Sequence, residues 1–240
     1  MKSFDLSVEY NAINPSSKCI IERYELSKEN LEFRARKHND EFIEKLIQGI
    51  VDFENLKAEE FESYELNDVL DYLERTHKYY KEVRFQKIEQ SLLSFSRKSD
   101  NALLNHILFN YFEKFKYELN EHIIEEESTL FPFARFIENQ AIKSASDIAF
   151  HLNCPIDVKL PFKTHDDVEF QLDSLIDLLM TYEPSLGYML SFKILLCQLK
   201  EFNRDLKLHE LIEEEVLIPK LMQKRNALQK ELDLLYESLY

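Results

Sequence analysis

The stretch "HIIEEESTLFP", residues 122–132, is typical of the last turns of a helix that closes in a proline, and residues 209–219 repeat it as "HELIEEEVLIP". In both copies a histidine is followed by glutamate at the fourth and fifth positions, leucine at the eighth and proline at the tenth. The two copies therefore share one register from histidine to proline. This repeat predicts two helices that present the same side chains on the same face.

The glutamate at the fourth position after each motif histidine shares a helix face with that histidine. Residues four apart on an α-helix differ by about 40° in direction, so His122 and Glu126 share a face, as do His209 and Glu213. A single pair of this kind is weak evidence. With 45 acidic residues among 240, an acid is expected four residues after one of the seven histidines about once by chance.

Two upstream histidines strengthen the pattern. His77 lies 45 residues before His122 (122 − 77), and His165 lies 44 residues before His209 (209 − 165). Each half of the chain thus offers one histidine from a first helix and an HxxxE pair from a second. Two antiparallel helix pairs would bring four imidazoles and two carboxylates together, which we interpret as a dinuclear metal site. The candidate ligands are His77, His122, Glu126, His165, His209 and Glu213.

The donor types narrow the choice of metal. Imidazole and carboxylate suit iron, manganese or zinc, and two carboxylates between two sets of histidines favour a bridged pair of irons over a single zinc. We expect two non-heme iron ions with two histidines each, Glu126 and Glu213 as bridges, and an oxo or hydroxo group in the core. Open positions would accept oxygen, nitric oxide or peroxide. His151 is a candidate neighbouring or fifth ligand.

Acidic residues near the motifs have two interpretations. Glu118 and Asp205 each precede a motif histidine by four residues, and they are either outer partners of the ligands or part of a solvated helix face. Glu125 and Glu127 flank the candidate bridge by about 100° on either side and are predicted to be solvated. His106 lies about 160° around the helix from the motif histidine and should not face the metals.

The composition predicts an all-helical fold. Only two glycines and six prolines interrupt the chain, while leucine, glutamate and lysine are abundant, so the elements must be long. Long helices with short connections favour an up-and-down four-helix bundle. We expect an N-terminal helical extension of unknown role over residues 1–62 and the bundle with a terminal helix over residues 63–240. The predicted helices cover about 27–53, 67–96, 100–132, 165–179, 186–217 and 220–240.

The charge and the cysteines exclude several classes of protein. A formal charge of −15 would repel a phosphate backbone, so nucleic acid is not an expected partner. The first residues lack the apolar core of a signal peptide, and no segment approaches the roughly 18 apolar residues of a membrane span. We therefore expect a cytoplasmic protein without a membrane partner. Cys19, Cys154 and Cys197 have no metal-site spacing and are predicted to be reduced thiols, with Cys197 packed in the core.

Four segments together carry a resemblance to a known family: "ERTH" ending at His77, "HIIEEESTLFP", "PIDVKLPFKTHDD" and "FNRDLKLHELIEEEVLIP". They resemble the hemerythrin-like superfamily, and more closely the iron–sulfur cluster repair di-iron proteins, the repair of iron centres family. The resemblance spans about residues 66–220. Hemerythrin oxygen carriers use a fifth histidine and a second motif that ends in aspartate, whereas this chain has HxxxE twice. The chain is therefore more similar to the repair proteins.

The resemblance implies the same six ligands in a hemerythrin-like bundle. It implies a protein that helps restore iron–sulfur clusters damaged by nitric oxide or oxidants, acting on damaged iron–sulfur proteins by redox or nitric oxide chemistry rather than as a conventional enzyme. A module that binds or senses oxygen or nitric oxide without repair is the alternative, and a structural bundle without metal is a third. Two features depart from the family: residues 1–60 contain no cysteine pair, and Thr164 stands where an acidic residue is common.

Overall fold

The fold is all-helical in every part of the chain that the structure describes, which confirms the predicted fold class. The computed structural model describes residues 15–27, 39–138 and 171–237, and no strand occurs in these ranges. Within them, no helix combines the length and the apolar character needed to cross a bilayer. The helices are α1 (Pro15–Ser27), α2 (Asp40–Val51), α3 (Leu66–Tyr79), α4 (Phe85–Ser96), α5 (Ala102–Ser128), α6 (Leu130–Glu138), α7 (171–180), α8 (Met189–Ile212) and α9 (Ile218–Glu237).

Two π-helical segments join consecutive helices into long rods. Tyr80–Arg84 links α3 to α4, and Glu213–Leu217 links α8 to α9. The helix predicted over 67–96 is therefore confirmed as a continuous rod, with a π turn in its middle that the sequence did not indicate. The second rod continues past the predicted stop at its proline, so the predicted separate terminal helix is an extension of α8.

Neither motif proline ends a helix, which corrects the sequence prediction. α5 ends at Ser128, and Pro132 is the third residue of α6. In the first turn of a helix the missing N–H of proline has no intrahelical partner to lose. Pro219 is the second residue of α9 and lies directly after the π segment, inside the continuous rod.

Asparagine side chains start two of the helices. Asn39 accepts hydrogen bonds from the backbone N–H groups of Glu41 and Phe42 at 3.2 and 3.3 Å, which caps α2. Asn101 accepts one from Leu104 at 3.0 Å and caps α5, whose start was predicted one or two residues earlier. These side chains satisfy N–H groups that have no partner inside the helix. Residues 28–38, which belong to the helix predicted over 27–53, lie outside the described residues.

The helix α1 occupies a segment in which the sequence shows no sustained period. Its buried face contains Ile20 and Ile21, but also Ser17 and Arg23, so polar residues interrupt the apolar stripe. A fully buried guanidinium requires partners, and here they come from helices far away in the sequence. The usual amphipathic pattern therefore could not identify α1.

One buried apolar core includes helices from both sides of the predicted boundary at residue 62. α1 packs against α2 and α3, and α8 packs against both α2 and α4. Ile20 and Leu46 belong to the same buried cluster as Leu70 and Leu206. The division at residue 62 stays a prediction, but the described parts of the N-terminal region are integral to the core that carries the site.

The two described cysteines differ from the sequence expectation. Cys197 is exposed on α8, with its Sγ 3.6 Å from a carboxylate oxygen of Glu201, so the prediction that it packs in the core is wrong. Cys19 on α1 is the buried one. Both are free thiols, as predicted, and Cys154 lies outside the described residues.

Candidate metal centre

Five of the six predicted ligands lie close together in the core. None of their side chains is more than 4% exposed, so the site is closed to bulk water. They come from four parts of the fold: α3, α5, α8 and the π segment that follows α8. The sixth predicted ligand, His165, lies outside the described residues, as does the candidate fifth ligand His151. The five are His77, His122, Glu126, His209 and Glu213.

Three of these residues form a first triad, His77, Glu126 and His209. One ligand atom from each lies within 4.8 Å of the others, a spacing that allows all three to contact a single ion. The Nε2 atom of His77 is 3.0 Å from Nε2 of His209 and 3.0 Å from Oε2 of Glu126. Two imidazoles and a carboxylate thus converge on one point between α3, α5 and α8.

A second triad consists of His122, Glu126 and Glu213, again with ligand atoms within 4.8 Å of one another. The Oε1 atom of Glu126 is 2.5 Å from Nε2 of His122, whereas its Oε2 atom contacts the first triad. The two oxygens of one carboxylate therefore face different groups of ligands. This arrangement is compatible with a bridging carboxylate, and the bridging role of Glu126 stays a prediction.

Glu213 takes a different place from Glu126, although the repeat makes them equivalent. It belongs to one triad only, and its nearest oxygen is 4.0 Å from Nδ1 of His209, the histidine of its own motif. Its role as a second bridge stays a prediction. The structure also separates the histidines into groups, since His77 lies with His209 and His122 lies with Glu213.

Both π segments are adjacent to candidate ligands. One begins three residues after His77, and the other begins at Glu213 itself. A π turn inserts an extra residue into a helix and occurs frequently at functional sites. Neither π segment was predicted from the sequence pattern.

Aromatic rings enclose the first triad. Phe131 stacks on the His77 ring with centroids 5.1 Å apart and an angle of 15° between the planes. The ring of Tyr80 lies 6.0 Å from that of His209. Phe131 is the bulky apolar residue at the ninth position of the first motif, so the repeat supplies a wall of the site as well as its ligands.

The outer nitrogen of His77 has an acidic neighbour that sequence reasoning placed in solvent. Oε1 of Glu127 lies 3.3 Å from Nδ1 of His77, and both Glu127 oxygens accept hydrogen bonds from Lys81 at 3.0 Å. Burial lowers the pKa of His77, but the contacts with Glu126 and Glu127 outweigh it and raise the pKa above its usual value. The carboxyl of Glu127 has a lowered pKa because contacts with His77 and Lys81 outweigh its partial burial.

Asp205 is buried completely and forms an ion pair with Arg23 of α1. Nη2 of Arg84 lies 3.7 Å from the same carboxylate, and Arg23 also donates hydrogen bonds to Tyr72 and Thr76 at 3.2 and 3.1 Å. The carboxylate therefore joins α1 to the helix that carries His209, one turn before that ligand. Sequence reasoning singled out Asp205 but missed both arginines.

Glu118 and His106, which were also considered from sequence, both lie on α5. Glu118 is half-buried, accepts a hydrogen bond from Gln171 and lies 3.6 Å from the Lys114 ammonium. A role of Glu118 or Asp205 as an outer partner of the ligands stays a prediction. His106 is exposed and lies 3.0 Å from the Asn110 amide nitrogen, which confirms that it does not face the site.

The five described ligands offer only nitrogen and oxygen donors. Such a set suits borderline and hard transition-metal ions such as iron, manganese and zinc, and a carboxylate shared between two triads suits two ions side by side. The residues present therefore fit the metal pair expected from sequence. Comparison with protein-family models, with curated proteins and with solved structures found no match, so the geometry of these residues carries the functional interpretation.

Proposed function

We propose that the chain is a non-heme di-iron protein with a hemerythrin-like four-helix bundle. The observation that carries this proposal is the pair of buried triads that share Glu126. His77 and His209 would hold one ion, His122 and Glu213 would hold the other, and Glu126 would bridge them. The repeat supplies His165 as a further histidine for the second ion. Iron is the proposed metal because imidazole and carboxylate ligands with a bridge suit a redox-active pair.

The proposed role is to restore iron–sulfur clusters damaged by nitric oxide or oxidants, with damaged iron–sulfur proteins as partners. The resemblance of both motifs and of the upstream histidine segments to the repair of iron centres family supports it. When bound, the iron pair would supply one-electron redox chemistry and open positions for a small ligand. The chain itself holds the ligands in a closed core and excludes bulk water with Phe131 and Tyr80. A cytoplasmic location is part of this proposal.

The experiment combines metal analysis with a repair assay on the full chain. Protein purified with iron should contain about two irons per chain, and His122→Ala should lose iron and the ability to reactivate a nitric oxide-damaged iron–sulfur enzyme. His106→Ala is the matched control, because it removes an exposed histidine from the same helix. Fewer than about one iron per chain in the parent protein would contradict the proposal.

A second candidate function is binding or sensing of oxygen or nitric oxide without repair. The burial of the site favours it, because side chains no more than 4% exposed admit a diatomic molecule more readily than a protein-bound cluster. Reversible oxygen or nitric oxide binding by the reduced protein, together with no reactivation of a damaged enzyme, would support this function over repair.

A further inference from the structure

We propose that Glu127 is a positioning residue that orients the His77 ring toward the metal pair. The inference rests on the proposed metal site and assigns a role to the glutamate at the fifth position after the motif histidine. The Nε2 atom of His77 faces Glu126 and His209, each at 3.0 Å. Its Nδ1 atom, on the other side of the ring, lies 3.3 Å from Glu127. The His77 ring therefore lies between the carboxylates of Glu126 and Glu127, which are adjacent in the sequence.

The contact matters because a neutral imidazole has two tautomers. A metal ligand needs a lone pair on the nitrogen that faces the ion, so the proton must be on the other nitrogen. A carboxylate beside Nδ1 stabilises the proton there and leaves Nε2 free to bind. Phe131 restrains the plane of the ring by stacking, and Glu127 fixes its rotation within that plane. The two contacts together define the direction of the Nε2 lone pair.

Lys81 keeps the Glu127 carboxylate in place. The Glu127 side chain is 37% exposed, so without an anchor it would sample several rotamers. The Lys81 ammonium donates to both of its oxygens at 3.0 Å, and Lys81 belongs to the π segment that follows His77. The helix that carries the ligand therefore also carries the anchor of its outer partner.

In the first copy of the motif, this role distinguishes the glutamate at the fifth position from the candidate bridge at the fourth. Glu126 turns inward and is buried, whereas Glu127 contacts His77 of α3 from the outer side of the ring. The equivalent residue in the second copy is Glu214. Glu126 and Glu127 thus have different roles, although they are adjacent in the sequence and both acidic.

The test compares Co²⁺ binding by three variants of the full chain. Glu127→Leu removes the carboxylate 3.3 Å from Nδ1 and should weaken Co²⁺ binding about 10- to 100-fold, with a changed visible d–d spectrum. Glu127→Gln keeps an acceptor oxygen and should restore both the affinity and the spectrum toward those of the parent protein. Glu125→Leu is the matched control, since Glu125 belongs to the same triplet and forms no side-chain hydrogen bond among the described residues, and it should leave both unchanged.

Each outcome separates the inference from the proposed function. Equal Co²⁺ affinity of Glu127→Leu and the parent protein, or equal weakening by the leucine and glutamine variants, would overturn the positioning role while leaving the metal site intact. A parent protein that binds no Co²⁺ would overturn the metal site and the inference together. The thermal unfolding midpoints of the metal-free proteins show whether any variant has lost its fold.

Discussion

Glu126 holds the central position among the candidate ligands. It is 1% exposed, and its two oxygens contact histidines from different helices. Glu213 is equally buried but belongs to one triad. Two residues that a sequence repeat makes equivalent are therefore unequal in the structure, and their substitutions should have unequal effects.

Replacement of the shared carboxylate should remove more metal than replacement of the unshared one. Glu126→Ala removes a ligand from both triads and should abolish metal binding. Glu213→Ala removes a ligand from one triad and should leave about one ion per chain. Metal content after gel filtration measures the difference. Glu215→Ala, an exposed member of the second triplet, is the control and should keep the full content. Equal metal loss in both alanine variants would refute the asymmetry.

The two described thiols should differ in reactivity. Burial raises the pKa of Cys19 from 9.0 to about 12, with a further contribution from Asp205, so its reactive thiolate is scarce. Cys197 is exposed and should be alkylated by iodoacetamide at pH 8 in the folded protein, while Cys19 should react only after unfolding. Peptide mass spectrometry identifies the modified residue. Rapid alkylation of Cys19 in the folded protein would show that α1 detaches from the core.

The raised pKa of Cys19 also gives a pH dependence. The folded state retains the Cys19 proton where the unfolded chain loses it, so this contribution to stability is complete below pH 9 and is lost as the pH rises toward about 12. The unfolding free energy, measured by urea titration at pH 8 and pH 10.5, should fall less in Cys19→Ala than in the parent protein. An equal fall in the two proteins would contradict this linkage.

At the scale of elements, a buried ion pair between Arg23 and Asp205 connects α1 to α8. Arg23 and Asp205 are both 0% exposed in their side chains, so each depends on the other for compensation of its charge. Arg84 shares the carboxylate from the π segment of the first rod. Three elements therefore meet at one carboxylate, a turn away from His209.

Loss of Arg23 should be severe. Arg23→Met leaves a buried carboxylate with a weaker partner and should destabilise the protein by about 3–5 kcal/mol, as measured by urea unfolding. The double variant Arg23→Met and Asp205→Leu should recover part of this loss, because both charges of the pair are removed and Arg84 keeps Glu201 at 3.8 Å. Lys116→Met is the control: it breaks a pair with Glu89 near the surface and should cost at most about 1 kcal/mol. A change of similar size in both single variants would contradict the buried pairing.

The sequence predicted those elements whose apolar period is regular and those residues that the repeat fixes. The rod over residues 66–96 and the positions of His122 and Glu126 on one face follow directly from helical spacing. The sequence could not predict α1, since its buried Arg23 interrupts the apolar stripe. It also could not predict the contact of Glu127 with His77. Helical spacing gives the angular position of Glu127 on α5, but it does not show which residues of α3 pack beside that position.

At the scale of the whole molecule, the N-terminal helices and the ligand-bearing helices share one core. Residues 63–240 alone should therefore fail to form the native packing, because removal of α1 and α2 would uncover Tyr72, whose ring now packs against Phe42, and would leave Asp205 without Arg23. The fragment should show helical far-UV circular dichroism, weak near-UV signals and dye binding. The full chain is the reference, and native-like near-UV signals from the fragment would support an independent bundle.

The ion pair between Arg23 and Asp205 also sets an order of events during synthesis. The two residues are separated by 182 positions, which a ribosome needs about 9–36 s to translate at about 5–20 residues per second. Throughout that interval Arg23 lacks its native partner Asp205, and the separation of 132 positions between His77 and His209 delays that contact as well. The described ligand cluster can therefore be completed only after most of the last third of the chain has been synthesised, which makes its assembly a late step of folding.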